Sequence, residues 1–110
     1  MVKRILLSLA AAAVLAGAHA SSAQTGGHEY TITMSSMSYG KLPSGLKVGD
    51  TIVWVNRDTV PHTATARDKS FDLRIFPGKT ARLTLQKAGS IPFICIYHAA
   101  MRGTLNVAAN

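Results

Sequence analysis

The sequence contains one cysteine, Cys95, in 110 residues, and so it lacks the paired cysteines on which several kinds of site depend. The absence of a C-x-x-C motif excludes a thioredoxin-like redox pair and a four-cysteine zinc site. The absence of a C-x-x-C-H motif excludes covalent attachment of haem. An unpaired cysteine in an oxidising compartment is open to oxidation unless it is buried or bound to a metal.

Acidic residues are also scarce, because five Asp and Glu residues stand against twelve Lys and Arg residues, a formal net charge of +7. The basic residues are scattered along the chain, without a basic run or an interleaved aromatic stripe. This arrangement argues against nucleic-acid binding. A moderate positive charge more simply indicates an acidic partner or an acidic membrane surface.

Long hydrophobic runs are confined to the N-terminus, where Lys3 and Arg4 precede an apolar stretch at residues 5–18. This stretch is too short and too rich in small residues to be a convincing membrane span. Small-x-small patterns end at Ala20 and at Ala23, and both suit a signal peptidase. We therefore predict that residues 1–23 are a signal peptide cleaved after Ala20 or Ala23; an uncleaved anchor is the alternative.

The remainder, residues 24–110, is predicted to form one exported domain in the periplasm, without stable membrane insertion after cleavage. Loss of Lys3 and Arg4 lowers the formal net charge from +7 to +5. A domain of this size can bury a modest core. Nothing in its sequence repeats, and we expect a monomer.

Short β-branched, aromatic or alternating segments recur about every ten residues and are separated by Gly, Pro, Ser and Asp turns. The predicted strands lie at residues 30–34, 46–48, 51–56, 62–66, 71–76, 80–85, 91–95 and 103–107. Little helix is expected. The pattern predicts an all-β fold, an antiparallel β-sandwich.

Three metal-binding atoms follow one another at intervals of three residues, in Cys95, His98 and Met101. Thiolate, imidazole and weak thioether are the donors of an electron-transfer copper site. Such a site needs a second imidazole, and His62, which lies just beyond a predicted strand, is the candidate. The sandwich would bring His62 to the same end as the loop that joins the last two strands.

Other interpretations of these residues remain open. A lone cysteine is usually a small buried hydrophobic residue, and a lone methionine usually fills the core. A catalytic Cys–His pair is a further possibility, although the sequence offers no third group to orient the histidine.

These residues resemble the cupredoxin family of small type-1 blue copper proteins, and within it the amicyanin group. The resemblance runs from Tyr30 to Val107. The segments that carry it are residues 37–39, 48–62, 88–89 and 95–103. The very short ligand loop, Cys95-x-x-His98-x-x-Met101, is the most specific of them.

The resemblance implies a Greek-key sandwich that binds one copper ion per chain. His62, Cys95 and His98 would be the equatorial ligands, and Met101 the weak axial ligand. Asn56 would tie the His62 loop to the Cys95 region and would form a hydrogen bond near the thiolate.

Two positions depart from the family pattern. Relatives with this short loop have a proline before the second ligand histidine and another after it, where this sequence has Tyr97 and Ala99. These residues surround the face through which partners would dock, so the usual partner of the amicyanin group, methylamine dehydrogenase, cannot be carried over.

The sequence therefore predicts a periplasmic carrier of single electrons between redox proteins, of which at least one is acidic. The protein is not expected to be an enzyme, because four protein ligands would leave copper no open position for a substrate. A copper carrier or scavenger that hands over the ion is the main alternative. A sandwich domain without metal, in which Cys95 is simply buried, is another.

Overall fold

The computed structural model describes residues 27–109, and the regular elements in this range are nine β-strands. They are β1 Glu29–Ser35, β2 Ser38–Tyr39, β3 Leu46–Lys47, β4 Thr51–Asn56, β5 His62–Ala66, β6 Asp72–Ile75, β7 Thr80–Thr84, β8 Gly89–Cys95 and β9 His98–Ala108. The predicted signal peptide, residues 1–23, lies outside the described residues. Within residues 27–109 no helix is long and apolar enough to cross a membrane.

The strands form two sheets, as the alternating sequence pattern predicts. One sheet has the strand order β2-β1-β4-β7, and the other has the order β3-β9-β8-β5-β6. In β4 the side chains of Ile52, Trp54 and Asn56 are buried, while the intervening ones are half-buried. This period of two turns one face of each sheet toward a shared core.

Pairing is antiparallel in five of the seven strand pairs and parallel in β1–β4 and β3–β9. The sandwich is therefore mixed, although an antiparallel one was predicted. After β2, the chain crosses to the other sheet to form β3 before β4 returns beside β1. Parallel neighbours require such a crossover, and no short turn signal reveals it in the sequence.

Aromatic rings fill the middle of the core. The ring centroids of Trp54 and Phe93 are 5.4 Å apart, and those of Tyr39 and Phe93 are 4.7 Å apart, both in edge-to-face orientation. Trp54 and Phe93 are fully buried. Edge-to-face pairs of this kind add to the stabilisation from burial itself. Trp54 is therefore part of the core.

One end of the sandwich gathers the candidate ligands. Here β4 ends at Asn56, β5 begins at His62, β6 ends at Ile75 and β8 ends at Cys95, and His62 is paired with Ile75. We call this end the site end. It is the end at which sequence analysis placed both His62 and the ligand loop.

The last strand begins earlier than predicted. We expected a loop from Cys95 to Gly103, whereas β9 starts at His98, directly opposite Cys95. Ile94 is paired with Arg102, so the partner shifts by four residues for a step of one. The residues between His98 and Arg102 therefore form a bulge, which local sequence patterns do not signal.

Candidate metal centre

His62 is held where β5 begins. Its side chain is fully buried, and the preceding Pro61 is half-buried. Backbone pairing with Ile75 fixes the position of His62 along the sheet. The imidazole is thus anchored by a strand. Its orientation is set by contacts of Nε2 with Asp58 and of Nδ1 with Cys95.

Cys95 and His98 are brought together by the tight turn between β8 and β9. The two residues are paired across the hairpin, with Ile96 and Tyr97 between them. Cys95 is fully buried and unpaired, and His98 is half-buried. The hairpin therefore holds the thiol and the second imidazole on adjacent strands, at the predicted spacing of three residues.

The three side chains converge on one point. Ligand atoms of His62, Cys95 and His98 all lie within 4.8 Å of one another. The Sγ atom of Cys95 is 3.8 Å from Nδ1 of His62, and the two imidazole centroids are 5.1 Å apart. Nε2 of His98 is buried without a hydrogen-bond partner in the protein.

A buried polar atom without a partner is costly, and a metal ion would satisfy it. One thiolate and two imidazoles are the strong donors that favour copper in an electron-transfer site. On the evidence of this orphaned nitrogen and of the donor chemistry, the residues fit a copper ion.

Met101 lies in the bulge of β9, one residue before Arg102, and it is 2% exposed. Pairing of Arg102 with Ile94 places this part of β9 beside the end of β8. The predicted axial ligand is therefore buried in the segment that adjoins Cys95. Of the other two methionines in the described residues, Met34 is buried and Met37 is exposed.

The sulfur of Cys95 receives a hydrogen bond from the backbone of β5. The amide of Thr63 donates to Sγ over 3.3 Å, and the carbonyl of the same residue accepts from the Tyr39 hydroxyl over 2.5 Å. The Thr63 hydroxyl also accepts from the amide of Ile96. Burial raises the pKa of Tyr39, and the neighbouring Cys95 raises it further. Thr63 therefore joins β5 to the ligand hairpin and to the core.

The predicted role of Asn56 is half correct. Its amide donates to the carbonyl oxygens of Val60 and Ile75, and its Oδ1 accepts from the amide of Asp58. Asn56 thus organises the loop that leads to His62. The prediction of a hydrogen bond near the thiolate is wrong. The second hydrogen bond from the Asn56 side-chain amide goes to the carbonyl of Ile75, and the hydrogen bond to the sulfur comes from the backbone amide of Thr63.

Asp58 was not among the site residues predicted from the sequence. Its Oδ2 lies 2.7 Å from Nε2 of His62, the ring nitrogen opposite the one that faces Cys95. The hydrogen bond with His62 lowers the pKa of the Asp58 carboxyl, and hydrogen bonds from the backbone amides of Met37 and Ser36 lower it further. One feature of the sequence could have revealed it: the carboxylate precedes the histidine by four residues, with a loop between them.

The fold and this cluster define a class of protein, a β-sandwich with potential metal-binding side chains gathered at one end. The profile of the cupredoxin-like domain family matches residues 5–107 of the chain. The protein therefore belongs to the cupredoxin-like family.

Solved structures of amicyanin resemble this chain. Amicyanin from Paracoccus versutus (Thiobacillus versutus) is 25% identical, with a TM-score of 0.60 over 70% of this chain and 78% of that one. The Cu(I) form of a methionine-to-alanine variant of amicyanin is 26% identical, with a TM-score of 0.62 over 76% and 85% of the two chains. No curated protein matches the chain by sequence.

These comparisons confirm the predicted all-β cupredoxin-like fold and the resemblance to amicyanin. Amicyanin-like cupredoxins are copper proteins that carry electrons, and they are typically periplasmic. The cluster of His62, Cys95 and His98 fits the ligand set of such a protein.

Proposed function

We propose that this protein is a periplasmic type-1 copper protein that carries single electrons between redox proteins. One copper ion per chain would be held by His62, Cys95, His98 and Met101. The observation that carries the proposal is the convergence of two imidazoles and one thiol within 4.8 Å in a buried setting. Membership of the cupredoxin-like family supports the same assignment.

Each ligand has a distinct task. The Cys95 thiolate and the imidazoles of His62 and His98 are the strong donors, and the Met101 thioether is a weak axial donor. Copper bound there supplies a Cu(II)/Cu(I) couple that accepts and releases one electron. The buried histidine and cysteine exclude water from the donor atoms, while half-buried His98 is the ligand nearest to solvent.

The surrounding hydrogen bonds hold the donors still. Thr63 joins the Cys95 sulfur to β5, and Asn56 braces the loop before His62. Cu(II) and Cu(I) prefer different geometries, so a frame that relaxes toward neither favours fast electron transfer. Bonds of this kind to the ligands and their supports tune metal sites in general. Four protein donors also leave no open position for a substrate, which is why we propose a carrier and not an enzyme.

The site end offers an apolar surface for a transient partner. Ala99 and Ala100 are exposed beside His98, and Val60 and Pro61 are half-buried in the loop before His62. The large apolar side chains that are exposed in residues 27–109 also belong to this end or to the turns next to it. They are Met37, Phe76, Ile96 and Tyr97. A small apolar patch suits contacts that must also release.

Positive charge accompanies this surface. Four exposed basic residues lie at the site end or directly beside it: Arg57, Arg74, Lys79 and Arg102. The guanidinium of Arg74 lies 5.8 Å from the centroid of the Tyr97 ring. Asp58 is the acidic residue of this end, and it is engaged with His62. These charges support an acidic redox partner, which the positive field would steer toward the copper.

Export and oligomeric state complete the proposal. The basic N-terminus and the small-residue cleavage patterns of residues 1–23 support secretion to the periplasm. Amicyanin-like cupredoxins are typically periplasmic, which agrees with that location. Residues 27–109 bury their large apolar side chains within one sandwich apart from the few named above. We therefore propose a monomer with separate, short-lived contacts to a donor and an acceptor.

Voltammetry combined with metal retention tests this function. The copper-loaded protein should give a reversible one-electron wave, and it should lose Cu(I) slowly to an excess of a Cu(I) chelator. A Cys95→Ser variant treated in the same way is the control, and it should give no such wave. An irreversible wave together with rapid transfer of Cu(I) to the chelator would support the carrier or scavenger instead.

A further inference from the structure

We propose that Asp58 is the positioning residue of the metal centre, and that the turn between β1 and β2 serves to hold its carboxylate against His62. This inference rests on the proposed metal site and concerns how the site is set before a metal arrives. It assigns a role to a residue and a turn that contribute no ligand.

The hydrogen bonds around His62 determine where its proton lies. The ionised carboxylate of Asp58 can only accept, so the hydrogen shared over 2.7 Å belongs to Nε2 of His62. In a neutral imidazole, Nδ1 then carries a free lone pair, and this atom faces the Cys95 sulfur at 3.8 Å. Two backbone amides donate to the same carboxylate, and such bonds favour its ionised form. Asp58 thus selects the tautomer that a metal requires.

The carboxylate is itself held by the backbone of a distant turn. The amide of Ser36 donates to Oδ1 over 2.8 Å, and the amide of Met37 donates to Oδ2 over 2.9 Å. Ser36 and Met37 have φ values of 53° and 59°, a conformation that residues other than glycine rarely adopt. In that conformation successive N–H groups form a concave binding site for an anion. The backbone N–H groups of the turn therefore form a binding site for the Asp58 carboxylate.

The loop side fixes Asp58 as well. Its own amide donates over 2.8 Å to Oδ1 of Asn56, the last residue of β4. The β1–β2 turn and His62 are thus linked through the Asp58 carboxylate, across 22 residues of sequence, and the end of β4 holds the backbone of the same residue. A histidine ligand whose second nitrogen is bonded to a carboxylate is oriented by it and is a stronger donor.

Two consequences follow for the metal centre. Removing the carboxylate should weaken copper binding by roughly 10- to 100-fold, as loss of similar supporting groups does elsewhere. The negative charge also favours the more positive oxidised ion, so its removal should raise the reduction potential. A carboxylate with a purely structural role would affect stability and leave the tautomer and the potential unchanged.

Nitrogen NMR of the histidine side chains in the metal-free full domain tests the proposal directly. Wild-type His62 should be a single tautomer with its proton on Nε2. In Asp58→Asn, which leaves one turn amide without an ionised acceptor, His62 should populate both tautomers. In Asp58→Glu, which keeps the charge, the Nε2–H form should again predominate. Asp72→Asn removes the same charge from the start of β6, and it should leave the His62 spectrum unchanged.

The copper-loaded variants supply the second readout. Asp58→Asn should have a higher reduction potential than wild type, while Asp72→Asn should match wild type. A wild-type His62 with its proton on Nδ1 would overturn the proposal without reference to any variant. An Asp58→Asn protein with an unchanged tautomer and an unchanged potential would overturn it too. Failure of the wild-type protein to bind copper, with the Nε2–H tautomer present, would instead contradict the proposed function alone.

Discussion

The Cys95 thiolate has no substitute among the residues that meet at the site end, because the other strong donors there are imidazoles. Replacing it by serine leaves a hydroxyl, which cannot supply thiolate donation. We expect Cys95→Ser to lose the colour of the copper site altogether. Visible absorption after addition of Cu(II) checks this prediction.

Met101→Ala is the matched change at the weak ligand. The axial thioether contributes little to binding, so this variant should stay coloured with a shifted band. The pair of variants thus separates the strong donor from the weak one. Cys95→Ser with the wild-type copper spectrum would show that the assigned thiolate is not a ligand.

Residue chemistry alone predicted the proposed donors but not the groups that support them. Cys95, His98 and Met101 are recognisable because soft ligand atoms rarely recur every three residues, and His62 because a second imidazole was needed. The Thr63 amide that bonds to sulfur is a backbone group, so side-chain identity carries no trace of it. Asp58 depends on a turn 22 residues away, and only the folded chain brings the two together.

At the scale of elements, the β8–β9 hairpin carries two of the proposed ligands, and Gly103 allows it to pack closely. A Cβ atom at Gly103 would lie 2.8 Å from Cζ of Phe93 and 3.0 Å from Cδ1 of Leu42. Phe93 is fully buried and has little room to move. We expect Gly103→Ala to lower the free energy of unfolding by about 1–3 kcal/mol, as overpacking does elsewhere. Urea denaturation of the metal-free protein measures this change.

Thr104→Ala is the control for this prediction, because Thr104 is exposed on the same strand. Its free energy of unfolding should stay within about 0.5 kcal/mol of wild type. A Gly103→Ala variant as stable as Thr104→Ala would mean that Phe93 yields and that the hairpin is less tightly packed than described.

The turn after β5 is joined to the β7–β8 loop by an ion pair between Asp68 and Lys87, 2.6 Å apart. The hydrogen bond from Lys87 lowers the pKa of the Asp68 carboxyl, and bonds from Ser70 lower it further. A lowered pKa stabilises the fold above the ordinary carboxyl pKa, near 4, and this contribution is lost as pH falls toward the folded value.

The stability of wild type should therefore fall more steeply between about pH 5 and pH 2 than that of Asp68→Asn. Because the pair is exposed, the difference should be small and should shrink with added salt. Denaturation midpoints of both proteins across this pH range, at low and high salt, measure the difference in stability. Parallel pH curves for the two proteins at low salt would show that the pair contributes nothing.

The strands were predictable wherever periodicity was local, whereas the start of the last strand and the parallel pairings were not. The buried alternation of β4 and the turn residues around it place that strand directly. The early start of β9 at His98 depends on pairing with Cys95 across a bulge. The parallel partners of β1 and β3 depend on a crossover between sheets, which is a property of the whole topology.

Over the whole molecule, charge is unevenly distributed between the two ends. All five acidic residues lie within residues 27–109, and of these only Asp58 lies at the site end. The other four lie at turns or strand starts near the opposite end: Glu29, Asp50, Asp68 and Asp72. We expect an acidic partner to approach the site end, at a rate that salt lowers. The screening length falls from ~30 Å at 0.01 M salt to ~8 Å at 0.15 M.

Two kinds of substitution separate contact from steering. Ala99→Glu or Ala100→Glu places a charge inside the contact, so it should slow electron transfer even at high salt. Arg102→Glu changes a charge at the rim, so it should act mainly at low salt. Stopped-flow reduction by the physiological donor measures these rates. Unchanged rates in both alanine variants, with copper still bound, would place the docking surface elsewhere.

The central claim is that His62, Cys95, His98 and Met101 together bind one copper ion as a type-1 site. Its most direct test is the visible spectrum of the metal-free protein during titration with Cu(II). We predict an intense thiolate-to-copper band that grows linearly and stops at one copper per chain. A titration that yields no such band would contradict the account.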